Sequence, residues 1–97
     1  MPLLRVRPEA ELDVLDAASW YDGEREGLGT DFLNELRTTL QRIEDGPGRF
    51  PLVIQECRRA IVHRFPFGVF FIVEPECATV VAITHLRRDP SVWQKRV

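Results

Sequence analysis

The spacing of hydrophobic residues changes along this chain, and that change restricts the fold more than any other feature of the sequence. In the first half, one set of apolar residues recurs about every 3.6 residues, the repeat of an α-helix: Phe32, Leu33, Leu36, Leu40 and Ile43. From Cys57 onward the apolar residues alternate with polar ones or run continuously, as they do in strands. Helices followed by a run of strands are typical of an α+β domain.

Two helices are predicted in the first half of the chain. The first helix is predicted over residues 8–26. Pro8 suits its first turn, because backbone N–H groups there make no hydrogen bond within the helix and the lack of one in proline costs nothing. Its apolar face is predicted from residues at helical spacing: Leu12, Leu15, Ala18 and Tyr21. A Gly-Leu-Gly segment interrupts the pattern, and Thr30 is placed to cap a second helix over residues 30–45. The two helices are expected to form an antiparallel hairpin.

The strands are predicted on either side of this hairpin. In chain order the remaining elements are a short edge strand over residues 3–7, a loop over 50–52 with Val53 and Ile54 packing over the end of the sheet, strands over 57–65, 67–73 and 77–85, and one helical turn over 91–96. The order β-α-α-β-β-β predicts a helix hairpin packed on one face of a small antiparallel sheet. One domain is expected over residues 1–97.

Composition narrows the classes of protein to which the chain can belong. Of its 97 residues, 44% are hydrophobic, which is enough for one modest core. No apolar run reaches the roughly 18 residues of a membrane span, and no secretion signal is recognisable, so a cytoplasmic location without membrane contact is expected. Cys57 and Cys77 are expected to be small buried hydrophobes in a reducing compartment, ahead of a disulfide or a reactive thiol. No His, Cys or carboxylate cluster has ligand spacing, so neither a metal nor another cofactor is expected.

The charge of the chain is divided between its two halves. Residues 9–45 hold eleven acidic and three basic side chains, a balance of −8, whereas residues 46–97 hold four acidic and eight basic side chains, a balance of +4. The acidic half repels nucleic acid, and the half rich in arginine can face phosphate or an acidic protein.

The strand predicted over residues 77–85 ends abruptly in a cationic segment. His85, Arg87 and Arg88 follow an apolar run and precede Asp89-Pro90, which cannot continue a strand. Side chains at such a position are held by the sheet and still reach solvent. They are candidates for a functional site, and the alternative is a solvated, charged strand end.

Several short motifs occur along the chain in an order that is typical of one bacterial family. They are Pro8-Glu9-Ala10, Trp20-Tyr21, Gly27-Leu28-Gly29 before Phe32-Leu33, Arg58-Arg59, Arg64-Phe65-Pro66-Phe67, the run from Val80 to His85, Arg87-Arg88-Asp89-Pro90 and Trp93. In their order and spacing they resemble the RelE/ParE superfamily of type II toxin–antitoxin toxins, the plasmid-stabilisation proteins. The resemblance covers essentially the whole chain. It implies a bacterial toxin neutralised by a cognate antitoxin whose C-terminal segment wraps around it.

The family resemblance leaves two mechanisms open. RelE-like members cleave messenger RNA in the ribosome, with cations that hold the phosphate and groups that transfer protons. In that case Arg87 matches the family's C-terminal arginine, and His85, or else His63, would transfer protons. ParE-like members bind and inhibit DNA gyrase instead. Two departures from the ribonuclease pattern favour this second class: Gly68 stands where the ribonucleases carry an arginine, and Trp93 stands where many carry a tyrosine.

Four residues are expected to contact the target or the antitoxin: Arg59, Arg64, Arg88 and Trp93. Alternatively, Arg58 and Arg59 pair with acidic residues of the helix hairpin. Inhibition of gyrase by binding is the preferred interpretation, and a messenger-RNA endonuclease or a degenerate, inactive toxin is the alternative. The sequence leaves the oligomeric state open.

Overall fold

The helix hairpin forms as the sequence predicts. The structure, a computed structural model, describes residues 3–97, and in it α1 spans Pro8–Glu24 and α2 spans Leu28–Asp45. Pro8 lies in the first turn of α1. The predicted cap at Thr30 is wrong, because α2 begins two residues earlier, after Gly27. Gly27 adopts a φ of 88°, a left-handed conformation in which a residue without a side chain is not strained.

The predicted apolar stripe of α2 is confirmed except at Leu33, whereas that of α1 is wrong at Leu12 and Leu15 and confirmed at Tyr21. Phe32, Leu36 and Ile43 are buried. On α1, however, Leu12 and Leu15 are 61% and 65% exposed. Besides Tyr21, the buried positions of α1 are Ala10 and Ala17. Apart from Tyr21, the buried residues of α1 are alanines, and its leucines lie on the exposed side of the helix.

The sheet has five strands in the spatial order β1-β5-β4-β3-β2. The strands are β1 Leu3–Val6, β2 Leu52–Ile54, β3 Cys57–Ile61, β4 Phe67–Val73 and β5 Cys77–His85. The predicted fold class is confirmed, with three differences in detail. Strand β3 ends at Ile61, whereas the sequence predicts a strand to residue 65. The short strand β2 replaces part of the predicted loop, and β1 pairs with β5 in parallel while all other pairs are antiparallel. The hairpin connects the two edge strands β1 and β2, and it crosses one face of the sheet.

The two faces of the sheet are covered unequally. The face beneath α1 and α2 carries the main core, a single cluster that includes Phe32 of α2 with Val69, Phe71 and Val80 of the sheet. The opposite face, here called the open face, carries a smaller cluster beneath the short C-terminal helix α3, Ser91–Gln94. A β-bulge enlarges this cluster: Phe70 pairs with Ala82 and Phe71 with Val80, which leaves Val81 as the extra residue.

Gly29 locks the two helices together, and alanine there is expected to destabilise the protein. A Cβ atom at Gly29 would lie 2.5 Å from the Ala18 carbonyl oxygen and 2.8 Å from the Asp22 carboxylate, which accepts a hydrogen bond from the Gly29 N–H. We expect Gly29→Ala to lower the free energy of unfolding by about 1–3 kcal/mol, because the helices must move apart. Gly23→Ala is the matched control, since its Cβ meets nothing within 4 Å, and it is expected to be neutral or stabilising by about 0.4–1 kcal/mol. Urea unfolding of both variants tests this, and equal stability would contradict it.

Candidate functional site

Trp93 lies on the open face as part of its packing. Its indole ring stacks on Phe70 with a centroid distance of 4.1 Å and an interplanar angle of 17°, and only 7% of the residue is exposed. The ring fixes α3 against the sheet. Packing therefore accounts for Trp93, although the family resemblance predicts that it contacts a partner.

Arg59 lies on the same face and keeps an unused hydrogen-bond donor. Its cross-strand neighbour is Phe70, and the residue is half-buried. Its Nε atom is buried and has no hydrogen-bond partner within residues 3–97. Because a guanidinium stays protonated in proteins, Arg59 is a fixed cation beside an apolar surface. Its chemistry suits a carboxylate or phosphate supplied by a partner.

Arg64 is directed toward the helix hairpin. Its guanidinium lies 3.6 Å from the Glu35 carboxylate and 4.0 Å from that of Asp31. The expected pairing of Arg58 with acidic residues is wrong, because Arg58 donates to the carbonyl oxygens of Phe50 and Gly48, at 2.6 Å and 3.4 Å. The ion pair with the helix hairpin expected of Arg58 or Arg59 is thus made by Arg64, in the loop between β3 and β4.

His85 ends β5 on the face that carries the helices. Its ring meets the edge of Phe67 at a centroid distance of 5.5 Å, and its Nδ1 accepts a hydrogen bond of 3.0 Å from the Arg87 N–H. In a neutral ring this leaves Nε2 as a donor. His85 and Arg88 line one shallow cavity of about 230 Å³, together with Asp16 and Trp20 of α1.

Arg87 and Arg88 project from the turn that follows β5. Both side chains are exposed, and neither forms an ion pair with any residue in the part of the chain that the structure describes. The turn itself is held by the backbone, with the Arg88 N–H donating to the His85 carbonyl at 3.0 Å. Two free guanidinium groups on a fixed turn are suited to bind an anionic surface.

The predicted site residues therefore fall into three places. His85, Arg87 and Arg88 are together at the end of β5. Arg59 and Trp93 lie on the open face. Arg64 lies against α2. Gly68 is also on the open face, where a Cβ would lie 3.1 Å from the Phe70 ring and 3.2 Å from Leu86, so a larger residue would have to displace those side chains.

Two features were not predicted from the sequence. Arg96 forms a largely buried ion pair with Asp13, with 2.7 Å between Nη1 and Oδ2, and Asp13 also accepts the Ile83 N–H at 3.0 Å. No local pattern marks this pair, because 83 residues separate its members. The second feature is an apolar groove between α1 and α2. Leu15 is its sequence signal, since the helical spacing of the α1 leucines indicates an apolar surface without indicating what covers it.

Cys57 is expected to resist alkylation in the folded protein. Cys57 belongs to the cluster on the open face and is only 1% exposed to solvent. This burial raises the pKa of its thiol to about 11. At pH 8 a thiol of that pKa is about 0.1% thiolate, the form that reacts. The raised pKa also means that Cys57 favours folding below its unfolded pKa and that this contribution is lost as the pH rises toward about 11.

Iodoacetamide labelling followed by mass spectrometry measures this protection. Cys77, which is partly exposed, is expected to label first, and urea is expected to remove the protection of Cys57. Labelling of Cys57 at the same rate with and without urea would contradict the burial.

Residues 3–97 contain no group of three or more His, Cys, Asp or Glu side chains arranged to hold a metal ion. Within the same residues, no helix has the length and apolar character that crossing a membrane requires.

This chain is similar in fold to a chain of known structure. No protein-family profile and no curated protein sequence matches the chain. A chain of the structure described as the chromosomal ParDE TA system from P. aeruginosa superposes with a TM-score of 0.80 at 15% sequence identity. The match covers 88% of this chain and 96% of that one, so the two share their fold over nearly their whole length.

Proposed function

We propose that this chain is the toxin of a type II toxin–antitoxin pair, that it acts in the cytoplasm and that it binds DNA gyrase as its target. The fold shared with a chain of the ParDE toxin–antitoxin system supports the first part. The family motifs found along the sequence agree with it, and a toxin of this kind requires a cognate antitoxin. The choice of target depends on the placement of the candidate site residues.

The observation that carries the choice of target is that His85 and Arg87, which meet at the end of β5, are separate from the open face, where Gly68 and Trp93 depart from the ribonuclease pattern. Attack by a ribose 2′-OH requires a base, an acid and cations within hydrogen-bond reach of one phosphate. Here Arg59 and Trp93 lie on the open face, whereas His85 contacts Phe67 on the helix-covered face. Arg64 is held by carboxylates of α2. Binding of a protein target needs no such convergence.

A messenger-RNA endonuclease is the second candidate. The observation in its favour is that His85 and Arg88 line the same cavity, with Arg87 beside them. A catalytic site there would use His85 for proton transfer and Arg87 to neutralise the phosphate. An inactive toxin is the third candidate, and it is distinguished by the absence of any effect on growth.

Induction of the chain in a bacterial host without its antitoxin tests the proposal. We expect growth to stop, double-strand breaks to appear, translated messages to remain intact, and the product of an adjacent short reading frame to restore growth. The double variant Arg87→Ala/Arg88→Ala tests whether these two exposed arginines are needed for the arrest of growth. Arg37→Ala is the control, since Arg37 is an exposed arginine of α2 without an ion pair within residues 3–97. Normal growth, or rapid cleavage of messages without breaks, would contradict the proposal.

A further inference from the structure

A cleft opens where the end of β5 meets the second half of α1. Asp16 and Trp20 lie four residues apart on α1, so they share one face of that helix. His85 and Arg88 at the end of β5 form the opposite wall, and Phe67 of β4 also lines the space. These five residues define what is here called the strand-end cleft.

Trp20 gives the strand-end cleft a large apolar surface that the chain itself leaves in water. The residue is 61% exposed, although its neighbour Tyr21 is buried in the core. The Trp20 ring meets the Tyr21 ring edge to face, with a centroid distance of 5.1 Å and an interplanar angle of 78°. Trp20 is thus supported by a buried residue, so little entropy is lost when a partner covers it. An exposed, supported indole is a typical anchor of protein interfaces.

The charged groups of the strand-end cleft have both signs. Arg88, with Arg87 beside it, is exposed and forms no ion pair within residues 3–97. Asp16 on the opposite wall is likewise exposed and unpaired within these residues. Asp13 also lines the cavity, but its carboxylate is neutralised by Arg96. The cleft therefore offers a carboxylate on one side and guanidinium groups on the other.

This pattern of charge fits a protein segment better than a nucleic acid. The backbone of RNA or DNA carries a negative charge at every phosphate, so a strand that reached Arg88 would also meet the Asp16 carboxylate. A protein segment can place a carboxylate on Arg88 and a basic group on Asp16. The volume of about 230 Å³ is below the roughly 300–1,000 Å³ of small-molecule sites, so the cleft is suited to a single side chain of a larger partner.

We propose that the strand-end cleft is the contact site for gyrase, and that it binds a segment of gyrase in which an apolar side chain stands between an acidic and a basic residue. The apolar side chain packs on Trp20, the acidic residue pairs with Arg88, and the basic residue pairs with Asp16. His85 adds a donor at Nε2, since its Nδ1 accepts the Arg87 N–H. The inference rests on the proposed function, and it adds which surface binds the target and which chemistry the bound segment has.

Trp20→Ala tests the apolar contact. The probe is purified gyrase without DNA, and the dissociation constant of its complex with the chain is measured by calorimetry. We expect Trp20→Ala to weaken binding by about 30-fold or more, as loss of a central anchor does. Leu12→Ala is the matched control, because Leu12 is also 61% exposed on α1 but lies outside the cleft, and it is expected to bind as the wild type does. Both variants are expected to stay folded, with melting temperatures close to that of the wild type.

Asp16→Lys and Arg88→Glu test the two charge contacts. Each is expected to weaken binding at low salt, with a difference from the wild type that shrinks as salt is added. Glu76→Lys and Arg37→Glu are the controls, because they make the same changes of charge at exposed positions outside the cleft. A nucleic-acid occupant would respond to Asp16→Lys in the opposite direction, since an added cation strengthens binding to phosphate.

The outcomes separate the inference from the proposed function. If the wild-type chain does not bind gyrase, both are contradicted. If it binds and Trp20→Ala binds as tightly as Leu12→Ala, gyrase contacts another surface and the inference alone is overturned. Tighter binding of Asp16→Lys to gyrase on DNA would identify a nucleic acid as the occupant and would also overturn it. If Trp20→Ala instead loses only the antitoxin, or only self-association of the chain, that partner occupies the cleft and the inference is wrong.

Discussion

Replacement of Asp13 by alanine is expected to lower the free energy of unfolding by about 3 kcal/mol, the lower part of the range for a broken buried ion pair. The Asp13 and Arg96 side chains are only 11% and 20% exposed, and Arg96 also donates to the Val81 carbonyl oxygen at 3.1 Å. Without the carboxylate, the Arg96 charge loses its partner and the buried Ile83 N–H loses its acceptor.

The position of this pair in the sheet explains why the effect is large. The pairing of β1 with β5 ends at Val6 and Val80, so β5 continues beyond its parallel neighbour. Asp13 of α1 and Arg96 of the C-terminal segment then satisfy the backbone groups of Ile83 and Val81 that no strand reaches. The same contact holds the segment that carries Trp93 against the open face.

Thermal and urea unfolding measure the effect of Asp13→Ala. A loss of about 3 kcal/mol corresponds to a melting temperature roughly 12–24 °C lower for a chain of this size. Asp16→Ala is the matched control, because Asp16 is exposed on the same helix and unpaired within residues 3–97, and it is expected to stay within about 0.5 kcal/mol of wild type. A double-mutant cycle with Arg96→Met isolates the pair energy. Equal stability of the two aspartate variants would show that the pair contributes nothing.

Phe32→Ala is the second variant for which we expect a large loss, of about 3–5 kcal/mol. Phe32 is fully buried, and its ring lies 5.0 Å from that of Phe67 and 5.4 Å from those of Tyr21 and Phe65. Truncation removes the centre of a cluster that joins both helices to the sheet and leaves a cavity that rigid neighbours cannot fill.

Leu33→Ala gives the comparison for Phe32→Ala within the same helical turn. Leu33 is 37% exposed, so its loss is expected to cost about 1 kcal/mol or less. Chemical unfolding measures the difference in stability between the two variants. The slope of the free energy of unfolding against denaturant concentration is expected to be the same for both. If the two losses were the same, Phe32 would not be the centre of the core.

The sequence predicts those parts of the fold whose pattern is local. The stripe from Phe32 to Ile43 follows from helical repeat alone, and the continuous apolar run of β4 follows from burial on both faces. The exposure of Leu15 is not predictable in this way, because hydrophobicity indicates that a side chain avoids water without showing whether its own chain or a partner covers it. Likewise β2 has only three residues, too few for an alternating pattern.

The candidate site is less predictable than the fold. The cluster of His85, Arg87 and Arg88 is local and was expected at the strand end. The direction of Arg64 depends on Asp31 and Glu35, and the burial of Trp93 depends on Phe70. Each of these contacts joins residues on different elements, so it is set by tertiary packing and leaves no signature in the residues nearby.

The central claim is that this chain stops growth by binding gyrase, without cutting RNA. The most direct test adds the purified chain to gyrase with relaxed plasmid and, in parallel, to ribosomes translating a defined message. We expect supercoiling to be inhibited and cleaved DNA to accumulate in proportion to the chain, with the message intact and with the activity removed by the antitoxin. Cleavage of the message in the ribosome, with supercoiling unaffected, would contradict the account and place the chemistry at His85 and Arg87.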